Sequence, residues 1–347
     1  MLVLIFLLPG CMGIVQENNT SIKITDALER EVLFEKAPEK IVVAGMQTPM
    51  LVNFLYLFET APEKIFAIEN RSQSGINFLN QIDTEIENKY ILEKGAGAEQ
   101  IAPLNPDVVI LKTSMKDTIG KQMEAIDIPI IYVSFESIDE IYRDIGILGL
   151  ALNEQERAEE IVENYITLYQ SIKSAISLDG SKLLDTVLLI QAKDENQKYA
   201  FSVPSGNWLQ TTLVEEAGAL PVWKTGEFIN GWAEINFEQI GVWNPDHIFI
   251  INYQGKGEEI AESLANDKLW MQLDAVRESK LKSFPFDFIS WDQPDPRWIL
   301  GFRWIAEQVH PEAVFKTDFN EQILMFYSTY YGIQTDEMQE EITRMLD

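Results

Sequence analysis

A chain of 347 residues is too long for one ordinary core and suits two domains. Its 46% hydrophobic and 24% charged residues are those of a globular protein. However, 55 acidic against 27 basic residues leave a net charge of −28, which disfavours nucleic acid and anionic membrane surfaces as partners because both need basic patches.

Cysteine and histidine content narrows the chemistry further. A single cysteine, Cys11, excludes an internal disulfide and a cysteine-based metal centre, and two histidines, His247 and His310, exclude a histidine-rich metal cage. Residues 2–10 form an apolar run that is too short to span a bilayer and reads as the apolar part of an export signal. Leu8-Pro9-Gly10-Cys11 resembles a bacterial lipobox, which makes Cys11 the expected lipidation site and residues 16–21 a polar tether. No Lys or Arg precedes the run, a departure that a start upstream of Met1 would explain.

Residues 21–34 alternate in polarity and predict a hairpin-like entry. Buried strands are predicted at 40–45, 64–68, 108–111 and 129–133, with a helix at 46–58 that carries Pro49 in its first turn. Strands alternating with helices argue for a parallel sheet covered on both faces. From 138 to about 177 the pattern is helical, with Asn153-Glu154-Gln155-Glu156 capping its second part and Ile161, Tyr165, Leu168 and Ile172 recurring on one face. No Pro or Gly interrupts residues 153–178, so this stretch predicts a stiff strut. Beyond it come a strand at 185–192, a turn at 204–208 leading into a helix to 218, a strand at 248–251 and a further segment at 264–276. A last strand at 283–288 and two helices after Pro296 close the chain.

One short unit occurs twice. Glu99-Gln100-Ile101, three residues, then Asn105-Pro106-Asp107 reappears as Glu238-Gln239-Ile240, three residues, then Asn244-Pro245-Asp246. Each copy predicts a short helix stopped at the asparagine before proline, followed by a buried strand. A unit used twice predicts two α/β lobes of similar build, with mostly parallel central sheets and a ligand cleft between them. The predicted division is 1–20 signal and tether, 21–137 N-terminal lobe, 138–181 connecting helical segment and 182–347 C-terminal lobe.

Together these segments resemble the class III solute-binding proteins of ABC importers. The resemblance is carried by ITDALEREVLFEKAPEKIVVAG, AEQIAPLNPDVVILK, LGLALNEQERAEEIVENY, NGWAEINFEQIGVWNPDHIFI, SWDQPDPRWILGFRWIAEQVHPEAVF and FYSTYYGI, in that order. It implies two α/β lobes joined by one long rigid helix, and capture of a ferric siderophore, haem, a corrinoid or an oxyanion. It also implies delivery to a permease dimer with its ATPase subunits, by a monomeric lipid-anchored protein outside the cytoplasm. No covalent chemistry and no resident cofactor are implied, the metal chelate being cargo. The glutamates Glu99 and Glu238, which match between the copies, are the positions implied to dock onto arginines of the permease; acidic residues also suit helix starts for local electrostatic reasons.

Ligands of open α/β sheets sit beyond the carboxyl ends of the strands. In the first lobe the loops there carry Met46, Gln47 and Thr48, then Asn70, Arg71 and Ser72, then Thr113, Ser114 and Lys116. In the second they carry Ser205, Asn207 and Trp208, then Asn230, Gly231 and Trp232, then Tyr253, Gln254, Trp291, Asp292 and Arg297. The ligand-contact candidates are Gln47, Thr48, Arg71, Ser72, Ser114, Trp208, Trp232, Tyr253, Trp291 and Arg297. Flat aromatic side chains suit a bulky chelate, and an arginine suits its carboxylate or oxyanion groups. Trp298 continues an apolar helical face with Phe302, Ile305 and Val309 and reads as core; Arg303 reads as a surface ion pair, His247 as structural and His310 as a helix-end residue.

The alternative within the same fold is a molybdate or tungstate receptor, with a tight pocket of Thr48, Ser72, Ser114, Arg71 and backbone N–H groups. An enzyme is disfavoured, because the chain lacks a G-x-S-x-G elbow, a Walker A loop, a cysteine cluster and an H-E-x-x-H helix.

Overall fold

The computed structural model describes residues 21–71, 78–176, 183–195, 198–225 and 231–334, with single positions at 336, 340, 342 and 344. Cys11, Ser72 and Asn230 lie outside the described residues.

The chain enters through an antiparallel hairpin, β1 (Ile22–Thr25) with β2 (Glu31–Phe34). Buried Asp26 organises the turn by accepting the N–H groups of Leu28 and Arg30 and the Arg30 guanidinium. A parallel five-stranded sheet follows in the order β5-β4-β3-β6-β7. Its strands are β3 (Ile41–Val43), β4 (Ile65–Glu69), β5 (Tyr90–Leu92), β6 (Val108–Lys112) and β7 (Ile130–Val133). The three strands β3, β6 and β7 are buried along their whole length, as both-face coverage requires.

The second sheet has the order β11-β9-β8-β12-β13, with β10 beside β8. It comprises β8 (Thr186–Glu195), β9 (Lys198–Val203), β10 (Leu220–Pro221), β11 (Ala233–Ile235), β12 (His247–Ile251) and β13 (Leu281–Ser283). Here β8, β10, β12 and β13 are parallel, β9 pairs antiparallel to β8, and β11 pairs antiparallel to β9 and so runs with the others. The fold is thus mixed α/β with a parallel central sheet in the first lobe and a mixed one in the second.

The repeated segment occupies equivalent places. One copy leads into β6, which pairs with β3 and β7, and the other into β12, which pairs with β8 and β13. Both helical turns stop on an asparagine with positive φ, 47° at Asn105 and 36° at Asn244. Asparagine tolerates this left-handed conformation because its short side chain clashes little and bonds locally. The aspartate of each copy then clamps the start of the neighbouring strand. Asp107 accepts the N–H groups of Glu39 and Lys40, while Asp246 accepts the N–H and hydroxyl of Thr186.

The helical connection consists of two helices divided at Asn153, and the second is the long uninterrupted one. Ile138–Leu152 begins on a Ser137 cap and packs on the hairpin; it ends where Asn153 turns to φ 61°. The spine helix Gln155–Ala175 follows, and its 21 residues span roughly 30 Å at the usual rise. Arg157 on the spine donates from Nε to the Leu57 carbonyl and from Nη2 to the Thr329 carbonyl, both at 3.1 Å. Tyr165 donates to the Pro296 carbonyl at 2.9 Å, and Lys173 to the Glu216 carbonyl at 2.8 Å. The spine is therefore bonded to both lobes, and the largest core cluster runs through it from one lobe to the other.

The predicted strand at 283–288 is corrected. The strand is Leu281–Ser283, and residues 284–297 form a largely buried irregular crossing before the helix Trp298–Val309. Pro285, Pro294 and Pro296 lack the N–H groups a strand would need there.

Candidate ligand-binding cleft

The loop after β3 turns sharply at Gly45 and Gln47, with φ of 91° and 64°, and opens the helix Thr48–Leu55. The Thr48 hydroxyl donates back to the Gly45 carbonyl at 2.6 Å, which fixes the helix start. Glu69 ends β4 fully enclosed; its carboxylate accepts the Gly45 N–H at 2.6 Å, the Gly95 N–H at 2.7 Å and the Arg71 Nε–H at 2.6 Å. Arg71 remains 19% exposed. These groups border a cavity of about 130 Å³ lined by Thr48, Asn53, Asn70, Arg71 and Phe78 from the first lobe and by Phe288 and Ile289 from the second. The cavity is therefore shared between lobes, with mostly apolar walls and one guanidinium.

At the carboxyl end of β12, three half-buried aromatic side chains meet. The Trp208 and Trp232 rings lie 5.9 Å apart at 78°, and those of Trp232 and Tyr253 lie 6.1 Å apart at 75°. Behind them lies Asp292, with no exposed surface. It accepts from Tyr253 Oη at 2.9 Å, from Ser290 Oγ at 2.5 Å and from Gln210 Nε2 at 3.2 Å. Burial pushes its carboxyl up to about 6, against the lowering by these donors.

A separate buried network joins the lobes. Arg297 has no exposed surface; it pairs with Asp295 at 2.9 Å and Asp287 at 3.3 Å, and its Nε donates to Tyr327 Oη at 2.7 Å. Its guanidinium carbon lies 4.4 Å over the Phe78 ring. Trp291, equally buried, donates to Asp287 at 3.0 Å.

The structure thus sorts the predicted contacts. Thr48 and Arg71 line the shared cavity, whereas Gln47, at the start of the Thr48 helix, is not among its lining residues; Trp208, Trp232 and Tyr253 come together in the second lobe. Ser114 is exposed in the turn after β6 and is not among the residues lining the cavity at Arg71. Trp291 and Arg297 are corrected from ligand contacts to enclosed members of the interlobe network, because neither presents surface to a cargo. Arg303 is likewise not a surface residue: it is 3% exposed, pairs with Glu307 and lies 3.6 Å over the Phe315 ring. Trp298 is core, His247 is enclosed beside Asp185, and His310 ends its helix with a 2.8 Å contact to the Ala217 carbonyl.

Sequence reasoning missed Glu69, Asn53, Phe78 and Gln210. Glu69 alone left a trace, as a charged residue closing an apolar strand, where burial demands partners. Glu99 and Glu238 are both exposed in the first turns of their equivalent helices. Among the described residues no cluster of His, Cys, Asp and Glu is arranged to hold a metal, and no helix is long and apolar enough to cross a membrane.

Residues 76–288, more than half the chain, match the family described as "Periplasmic binding protein", and the chain belongs to that family. The molybdate-binding protein MolA of Haemophilus influenzae is 24% identical over 251 residues, covering 67% of this chain and 69% of that protein. Its molybdate-bound structure superposes with a TM-score of 0.71 at 20% identity, over 90% of this chain and 99% of that one. The Fe(3+)-citrate-binding protein YfmC of Bacillus subtilis is 24% identical over 184 residues, 53% of this chain and 55% of that protein. The TroA-like periplasmic binding protein FepB of Veillonella parvula superposes with a TM-score of 0.73 at 21% identity, covering 91% and 97%. The family and these relatives are binding proteins, not enzymes.

Proposed function

We propose that this protein is the extracytoplasmic substrate-binding component of an ABC importer, tethered through a lipid on Cys11. In this reading it captures an anionic metal chelate between its lobes and presents it, as a monomer, to a permease dimer and its ATPase subunits. The aromatic corner of Trp208, Trp232 and Tyr253 carries the reading, since flat rings with few polar atoms suit a bulky chelate. Arg71 supplies the cation for a carboxylate or other oxygen anion of that cargo. Glu99 and Glu238 supply one docking carboxylate per lobe.

A smaller oxyanion is the second reading. It is favoured by the relative named for molybdate binding and by the modest 130 Å³ of the cavity at Arg71. Native mass spectrometry with ferric citrate, ferric siderophores, haem and cobalamin, beside calorimetry with molybdate and tungstate, separates the two. Uptake of a ferric chelate that quenches tryptophan emission is the expected result; tight heat of binding with molybdate or tungstate alone would replace the chelate by the oxyanion.

A further inference from the structure

Glu69 stands where three strand-end features converge. Its carboxylate takes one N–H from the loop after β3, one from the loop after β5 and the Nε–H of Arg71, all within 2.7 Å. Both backbone donors belong to glycines in the left-handed region, Gly45 at φ 91° and Gly95 at φ 84°, so both loops are sharply turned toward the carboxylate. With Nε engaged, the two terminal nitrogens of Arg71 carry no hydrogen bond among the described residues, and Arg71 lines the interlobe cavity. A guanidinium held by one edge presents its remaining donors in a fixed fork, which matches a carboxylate or a tetrahedral oxyanion.

We infer that Glu69 is the positioning residue for Arg71, aiming that fork into the cleft at an anionic group of the cargo. The inference rests on the reading of Arg71 as a cargo contact. Glu69 does not repel the anion at full strength, since three donors already saturate much of its charge. Lysine cannot replace Arg71 in this arrangement, because it has no Nε–H to be held and no planar fork to aim.

The test compares Glu69→Gln, Arg71→Lys, Arg71→Ala and the Glu69→Gln/Arg71→Lys double variant by calorimetry with ferric citrate and with molybdate, using neutral ferrichrome as control. For whichever anion the natural protein binds, Arg71→Lys should lose affinity about as much as Arg71→Ala, at least tenfold. In the Glu69→Gln background the same Arg-to-Lys change should cost less than threefold, and ferrichrome binding should hardly respond. Independent, additive losses would overturn the inference, as would natural affinity in Arg71→Lys; the latter also decides the matter if Glu69→Gln fails to fold. If the natural protein takes up neither anion, the cargo reading falls, and labelling with phenylglyoxal read at the Arg71 peptide decides this inference alone. Glu69→Gln should then change the labelling rate at Arg71 more than threefold, and an unchanged rate would overturn it.

Discussion

Asn53 Nδ2 donates to Asp295 Oδ2 at 2.5 Å, a hydrogen bond that crosses from the first helix of the N-terminal lobe to the buried crossing of the C-terminal lobe. Tyr331 adds a second link at 3.2 Å to the Asn53 carbonyl. Together with the spine, these bonds tie the lobes at the floor of the shared cavity. Asn53→Ala should lower stability by about 1–3 kcal/mol, since it leaves a buried carboxylate oxygen without its donor. Urea unfolding at neutral pH measures this.

Arg297 belongs to the buried interlobe network and not to the lining of the cavity at Arg71. Arg297→Met would strand Asp287 and Asp295, both enclosed, without their cation. The expected cost is about 3–5 kcal/mol. Thermal melts should show a large fall in midpoint; a variant that melts like the natural protein but loses cargo would restore Arg297 as a direct contact.

Trp232→Ala makes the opposite prediction. This side chain is half-buried against Trp208 and Tyr253, so its removal should weaken chelate binding about tenfold, ~1.4 kcal/mol. Stability should move less than in Arg297→Met. Fluorescence titration with the bound chelate provides the measurement.

Asp292 gives a pH dependence with a defined sign. Its carboxyl is pushed up to about 6 by burial, against roughly 4 in an unfolded chain. Between those values the folded protein holds a proton that the unfolded chain has released. Its contribution is therefore fully present below about pH 4 and is lost as pH rises through about 6, for a total of about 2–3 kcal/mol. The groups facing it are Tyr253, Ser290 and Gln210, none of them cationic. Asp292→Asn should flatten this part of the stability curve, measured by urea midpoints from pH 4 to pH 7.

Glu99 and Glu238 predict a transport defect without a binding defect. Reversing both charges, Glu99→Lys with Glu238→Lys, should reduce uptake in a reconstituted importer at least about tenfold through lost electrostatic steering. Cargo affinity should stay at the natural level. Unimpaired uptake would leave both residues with only their local role at helix starts.

Much of the architecture was readable in one dimension. The duplicated segment placed β6 and β12 in equivalent positions because proline, asparagine and an apolar run act locally. The strands β5, β9, β10 and β11 were not read: β5, β10 and β11 are only two or three residues long, and β9 is defined by its antiparallel pairing with β8 rather than by sequence pattern. The site was legible only in part. Thr48, Arg71, Trp208, Trp232 and Tyr253 follow from their places at strand ends, whereas Trp291 and Arg297 occupy a similar-looking place and are buried.

The sequence by itself determined the two-lobe plan, the stiff connection and the residue types available at the strand ends, because these depend on periodicity, capping and proline geometry within a few residues. Only the tertiary structure decided which side chains reach the cleft. Each arginine has a carboxylate two residues away, so local sequence does not separate them: Arg71 lines the cavity beside Glu69, whereas Arg297 is enclosed by groups far along the chain, Tyr327 and Phe78, as well as by Asp287 and Asp295.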